Sequence, residues 1–563
     1  MAWRDFLKGW FAHAGAGSKP TVPGFADASA DAAAAEKWCL EGAAHLAHGH
    51  LAEAERAIAR ALEIRHDYVE ALVLQSAIAR EQGRLDEAAD HLALAAHFRP
   101  DSGEVYYQLG VLATAQGRIE EAERFYRQSV SKDPLHAKAH NFLGTLLSER
   151  GALEQAVECF RRCVALRPDF APAHSNLGSL LITRLDQFDE GAKHVEEAIR
   201  LAPDSPDVQC NRAMLLQYRG QYPDALRRWT ELIEAGVLGN DAKARLDRAL
   251  IFLLLGEFEK GWDEYEHRFD ADKRRARDFG LPRWNDGPLD GKTILVYAEQ
   301  GVGDEIMFAS CLPDLVTCAG RVVIECSERL EKLFCRSFPR AIVHAGKKGN
   351  SGTWLSEFSP VDYQVPIGSL PRSFRRKPEA FPGQYPYLKA DPARVEYWRH
   401  LLRGEGTRPV IGISWRGGTA ATRSGVRSIP AGLLAEFLPA DVTWVSLQHG
   451  VEGDVPALPG LRTFPGVTQD LDELAALMCS LDLVISVANT NVHLAGALGC
   501  PVWVLVSNRP EWRYGASGDC MPWYPSSRLF RCGPHENWEA VLNRLHGELD
   551  RFIKQPGCRS TPG

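Results

Sequence analysis

The sequence predicts an α-solenoid in the first half of the chain and parallel-sheet α/β domains in the second. Two observations carry this. Prolines and small residues recur every 34 positions as far as residue 203, and from about residue 275 short apolar runs alternate with helical stretches. The 563 residues suffice for three or four domains, and 45% hydrophobic with 25% charged residues is the balance of a chain with several buried cores.

Residues 1–30 are expected to be a helix and a linker. Trp3, Phe6, Leu7, Trp10 and Phe11 fall on one helical face, which suits docking on the chain's own first domain or anchoring to a partner or a membrane surface. The segment lacks the apolar core of a signal peptide, and 12–30 is rich in Gly, Ala, Ser and Pro.

Residues 31–275 carry the repeat. Pro100, Pro134 and Pro168 are 34 residues apart, and Pro203 follows. Gly42, Gly110, Gly144 and Gly178 precede those points or their equivalents by nearly constant steps, as do Ala54, Ala88, Ala122 and Ala156. Gly49, Gly83, Gly117 and Gly151 recur at the same period, which is that of the tetratricopeptide repeat (TPR). Small residues stand where the two helices of a repeat approach closely, and Trp38, Tyr126 and Phe160 fill gaps between repeats. Five clear repeats lead to a sixth with Gly220, Ala225 and Trp229, and a degenerate seventh with Gly256, Gly261 and Tyr265. Such a solenoid offers a groove rather than catalytic groups. The amides Gln108, Asn141, Asn176 and Asn211 recur near one repeat position, where they can bind an extended acceptor backbone or simply be solvated.

The second half divides into 276–400 and 401–555, with a tail at 556–563. Strands are expected at 293–298, 321–326 and 341–345, with helices at 305–317 and 328–337. A second series has strands at 409–415, 442–448, 482–488 and 501–507, and helices at 431–438, 471–481, 490–499 and 537–553. The alternation implies two Rossmann-like domains with a cleft at the carboxyl ends of their strands. The apolar stretch from Leu483 is long enough for a bilayer, but Ser486, Asn489, Thr490, Asn491, His493 and Pro501 break it, so no transmembrane segment is expected.

Three places carry candidate chemistry. Gly301-Val302-Gly303-Asp304 follows a strand; it is either a plain tight turn or a ligand loop, with Asp304 a proton acceptor or a helix N-cap. Residues 403–427 hold Arg403, Arg408, Arg416, Arg423 and Arg427 against Glu405 alone; strand-end arginines suit a diphosphate, or are exposed loop charge. The segment from Asn489 to Gly499 starts a helix after a buried strand, where free N–H groups favour an anion. His493 lies one turn in, as a ligand contact or a satisfied structural histidine, and Gly496 lets the helix lie close to the sheet. No metal-binding motif and no nucleophile elbow appears, so no metal is expected. A net charge of −8 and a pI near 6.2 argue against nucleic acid. Thirteen scattered cysteines without a C-x-x-C pair point to reduced thiols and a cytoplasmic setting.

Repeats followed by EQGVGDEIMF, RSIP, VSLQ, HLAGALG, PVWVLV, PEWRYG and MPWYPSSRLFR resemble the bacterial TPR-linked glycosyltransferases. The catalytic half is similar to the heptosyltransferase type of the GT-B fold, and the whole is similar, more distantly, to the O-linked N-acetylglucosamine transferases. The resemblance implies metal-independent transfer from a nucleotide sugar, with Asp304 as general base. Gly301, Gly303, Arg416, Arg427, Gln448, Asn489, Thr490, His493 and Gly496 would serve the donor. It also implies a protein acceptor, flagellin by family, recruited by the repeats; self-association is open. Relatives often carry Asp-Thr between the buried strand and HLAGALG, where this chain has Val487-Ala488-Asn489-Thr490, without the carboxylate. A glycan or lipopolysaccharide acceptor, and a repeat scaffold with an inactive α/β module, are the alternatives.

Overall fold

The computed structural model describes residues 26–239, 241–272, 277–346, 352–358, 360–381, 383, 386–403, 408–418, 425–450, 455–458, 460–533 and 536–554. The expected helix over 3–11, Arg423 and the tail 556–563 lie outside them. The chain forms two compact units, Met1–Pro203 and Asp204–Gly563.

The first unit is a series of antiparallel helix pairs. They are Ala26–Ala47 with Leu51–Ile64, Val69–Glu81 with Leu85–Phe98, and Gly103–Ala115 with Ile119–Lys132. Ala137–Glu149 with Leu153–Leu166 and Ala171–Thr183 with Phe188–Leu201 complete it. The first helix begins at Ala26, inside the stretch expected to be linker, because ADASADAAAA is rich in the strongest helix former. The periodic glycines have two separate tasks. Gly117, at the turn inside a pair, takes φ +72°, a left-handed conformation that a side chain would strain. Gly110 faces the partner helix, and an added Cβ would lie 2.5 Å from the Tyr126 ring. Tyr126 is fully buried over that glycine and stacks on Phe142 of the next pair, so one ring closes both interfaces.

The second unit opens with two more pairs, Pro206–Tyr218 with Tyr222–Glu234 and Ala242–Leu254 with Phe258–Tyr265. Two parallel sheets follow. β1 (Thr293–Tyr297), β2 (Arg321–Ser327), β3 (Ile342–Gly346) and β4 (Tyr363–Pro366) form the first, in the order β3-β2-β1-β4. β5 (Val410–Ser414), β6 (Thr443–Ser446), β7 (Leu483–Val487), β8 (Val502–Val506) and β9 (Ser527–Arg531) form the second, in the order β6-β5-β7-β8-β9. β1, β5 and β7 are buried at every position, as central strands covered on both faces must be. The helix expected over 305–317 is divided into Val302–Phe308, a tighter turn at Ala309–Cys311, and Leu312–Cys318. Pro313 has no N–H to continue the first helix's ladder.

One core runs from the last repeat into both sheets. Trp262 is 1% exposed, its ring edge-on to Trp512 at 5.5 Å, and its indole N–H donates to the Arg375 carbonyl at 2.9 Å. Arg268 is fully buried between Glu266, Glu299 and the Ser369 hydroxyl. The boundary expected at residue 275 thus falls within the sequence span of a continuous core. Among the described residues no helix is long and apolar enough to cross a membrane.

Candidate functional site

In each sheet the chain reverses its direction of winding beside the first strand, between β1 and β4 and between β5 and β7. Crevices at the carboxyl ends of such strands are where α/β sheets hold ligands. Gly301, Gly303, Asp304, Arg416, Gln448, Asn489 and Thr490 lie at these crevices or on the helices leaving them, whereas Arg403 pairs with Asp482 at the opposite end of β5 and β7.

After β1 the loop reaches Gly301, which is the N-cap of helix Val302–Phe308 in extended conformation. Asp304 is therefore inside the helix and is not its cap. Its carboxylate accepts a hydrogen bond from Arg513 at 2.5 Å, and its side chain is 24% exposed. Gly303 sits where this helix meets helix Thr490–Ala497: an added Cβ would lie 3.3 Å from both His493 Cδ2 and Thr490 Oγ1. The two α/β domains therefore touch through that glycine.

After β5 the backbone N–H groups of Trp415 and Arg416, and the Ser414 hydroxyl, all donate to the Gln448 side-chain oxygen. Gln448 so pins the β5 exit, leaving the Arg416 side chain exposed. Gly417 passes close under β7, and an added Cβ would be 2.5 Å from the Ala488 carbonyl oxygen. Asn489 caps helix Thr490–Ala497, accepting from the Asn491 N–H at 2.9 Å. Its amide nitrogen donates to the Ser414 hydroxyl at 2.8 Å and to the Arg416 carbonyl at 3.1 Å. A carboxylate in its place has no proton to give either acceptor.

His493 is 5% exposed, and its Nδ1 lies 3.1 Å from the Tyr524 hydroxyl. Burial and the nearby Arg513 hold its pKa well below the ordinary histidine value, so the ring is neutral at pH 7. Gly496 faces Tyr524, with an added Cβ only 2.3 Å from the ring. Tyr524 approaches Tyr387, whose hydroxyl donates to the Ile306 carbonyl at 2.8 Å. A line of buried polar groups thus crosses from one α/β domain to the other.

The residues that sequence reasoning missed are charged. Arg513 pairs with Asp304 and Glu511, and Glu511 pairs in turn with Arg427. Arg513 and Glu511 lie in PEWRYG, but Asp304 and Arg513 are 209 residues apart and nothing local joins them. Glu305 is 4% exposed and accepts the Ser327 N–H at 2.9 Å. Burial, chiefly, and the neighbouring carboxylates Glu325, Glu299 and Asp304 push its pKa up to about 7.

In the first unit, Asn176 donates to the Asn141 side-chain oxygen at 3.1 Å, one repeat to the next. Gln108 donates to Glu104 at 2.7 Å, and both Gln108 and Asn141 are buried. Asn211 belongs to the second unit. Among the described residues no group of three or more His, Cys, Asp or Glu side chains is disposed to hold a metal ion.

Tetratricopeptide-repeat profiles match residues 39–103 and 210–266, 79–146, and 137–170. Protein FlbA of Caulobacter vibrioides is 32% identical over 379 residues, which is 63% of this chain and 63% of FlbA. The chain thus spans less than two thirds of that relative's length. Among solved structures, MamA shares 21% identity over 29% of this chain and 94% of its own, with a TM-score of 0.25. YrrB, described as a TPR protein with an unusual peptide-binding site, shares 19% over 30% of this chain and 88% of its own, at 0.25. The chain thus carries tetratricopeptide repeats and is similar to FlbA, and two parallel-sheet α/β domains follow its repeats in sequence.

Proposed function

We propose that the α/β half moves a sugar from a nucleotide-sugar donor to a Ser or Thr hydroxyl of a protein acceptor recruited by the repeats. The observation that carries this reading is Asp304, at the carboxyl end of the first sheet, standing opposite Arg513, Glu511 and Arg427 of the second. Transfer from a sugar diphosphate asks for these two things. A carboxylate takes the proton of the attacking hydroxyl, and cations on the other wall receive the charge of the leaving diphosphate. In this reading the donor lies over the β5 and β7 exits, beside Arg416, Arg427 and the N-terminus of helix Thr490–Ala497. Its phosphates are neutralised by guanidinium groups without a metal. Gln448 and Asn489 fix that floor, while His493, Gly303 and Gly496 set the packing behind it. The resemblance to TPR-linked glycosyltransferases favours flagellin as acceptor and a cytoplasmic reaction.

Asp304→Asn tests the reading. Sugar transfer from UDP-, GDP-, ADP- and CMP-linked donors to an acceptor protein should fall by about a hundredfold or more. Nucleotide binding, read as a rise in thermal stability, should persist. Undiminished turnover removes Asp304 as the base. A second reading, a repeat scaffold with an inactive α/β module, is favoured by the absence of a carboxylate from Val487-Ala488-Asn489-Thr490, the segment where relatives often carry Asp-Thr. It predicts partner binding with no thermal shift from any nucleotide, whereas a ligand of the folded state contributes about 2.7 kcal/mol at one hundred times its Kd.

A further inference from the structure

The charges in the cleft form a chain of alternating sign: Asp304, Arg513, Glu511, Arg427. One Glu511 oxygen holds Arg513 and the other holds Arg427, so a single carboxylate occupies two guanidinium groups. Two anionic oxygens at fixed spacing between two arginines are also what a diphosphate presents. The site has spare capacity, because the Nε of Arg513 is buried without a hydrogen-bond partner. The main chain beneath is fixed. The turn Trp512–Tyr514 ends at Gly515 with φ +69°, Arg531 donates to the Tyr514 and Gly515 carbonyls, and Trp512 packs on Trp262. Exchange at the arginines is therefore a side-chain event.

We propose that Glu511 is an internal stand-in for the donor's diphosphate. It keeps Arg427 and Arg513 paired while the cleft is empty, and an incoming diphosphate displaces it and takes both arginines. That the diphosphate belongs to a sugar nucleotide rests on the function proposed above; the exchange itself is an anion-binding event. A diphosphate offers more charge and more acceptor oxygens to the two guanidinium groups than a single phosphate does, so the site favours the former. The displaced carboxylate competes for the arginines afterwards and so favours release of the leaving nucleotide.

The test is calorimetric titration of inorganic pyrophosphate and of inorganic phosphate into the full chain and its variants at fixed ionic strength. Glu511→Gln is expected to bind pyrophosphate at least tenfold more tightly than the parent chain, with a smaller gain for phosphate. Arg427→Gln and Arg513→Gln are expected to weaken pyrophosphate at least tenfold. Glu511→Asp draws the carboxylate back by one methylene and should fall between parent and Glu511→Gln; it serves if Glu511→Gln does not fold. Unchanged or weaker pyrophosphate binding by folded Glu511→Gln, or by Glu511→Asp where that is the folded variant, overturns the proposal. Failure of the glycosyltransferase reading leaves a different trace, in which pyrophosphate exchange responds as expected while no sugar nucleotide supports transfer.

Discussion

Gly496→Ala isolates the packing of helix Thr490–Ala497 on the Tyr524 ring. The new Cβ would lie 2.3 Å from Tyr524 Cγ and 2.6 Å from both Cδ atoms, against an ordinary carbon contact of about 3.5–4.0 Å. The ring must move by more than about 1 Å to restore such a contact. It has little room, being 1% exposed and bonded through its hydroxyl to His493. Overpacking of this kind costs about 1–3 kcal/mol, and loss of the hydroxyl's hydrogen bond adds about 1 kcal/mol. Alanine's helical advantage over glycine returns about 1 kcal/mol. The net is a destabilisation of about 1–3 kcal/mol, confined at first to helix Thr490–Ala497. Hydrogen exchange of that helix measures it without assuming two-state unfolding of a large chain, and faster exchange is expected there. Gly303→Ala is the control. Its Cβ meets His493 and Thr490 at 3.3 Å, a contact relieved by a few tenths of an ångström, so its exchange should differ little from the parent. Wild-type exchange in Gly496→Ala would refute the reasoning, because it would mean that the buried Tyr524 ring yields at no cost.

Glu305 gives the stability a pH dependence. Its pKa rises from 4.5 to about 7 on folding, so the folded state binds the extra proton. Its contribution is complete below pH 4.5 and is lost as pH rises through 7. Glu305→Gln keeps an acceptor for the Ser327 N–H and should melt higher than the parent at pH 8, with the gain vanishing near pH 4.5; equal melting at pH 8 would count against the buried-acid account. Asn489→Asp sets a carboxylate against the Arg416 carbonyl and gives up both donated hydrogen bonds. A loss of about 1–3 kcal/mol at pH 7 is expected, shrinking as pH falls toward about 4, where the new acid is protonated in both states. A variant as stable as the parent at pH 7 would mean the β5 exit is not held by that amide.

The repeats are legible because each position solves the same steric problem every 34 residues, so Gly110 and Gly144 announce the same close approach. The central strands are legible because burial on both faces makes them unbroken apolar runs. β4 escaped because Tyr363–Pro366 is four residues long and ends in proline, and β9 because arginines interrupt SRLFR. The strand-end glycines could be found from sequence, but not their tasks. A glycine beside a ligand and one beside a tyrosine ring look alike until the ring is known to be Tyr524. The cleft charges were the least legible, since Asp304 meets Arg513, and Arg427 meets Glu511, across long stretches of chain.

The Trp262 anchor bears on how such a chain can be cut and recombined. A buried tryptophan covers about 150–250 Å², worth about 4–6 kcal/mol at ~25 cal/mol per Å². A shortened chain starting at residue 276 forfeits that, together with Phe258, Tyr265 and Arg268, and bares the apolar floor beneath Trp512 and Phe308. An α/β piece cut from the chain should therefore begin no later than Ala242, since the last helix pair packs with it although it continues the repeat pattern. The interchangeable cassette is the run of repeats upstream. A graft of other repeats should keep its junction upstream of Ala242, so that Trp262 stays with the sheets it packs on.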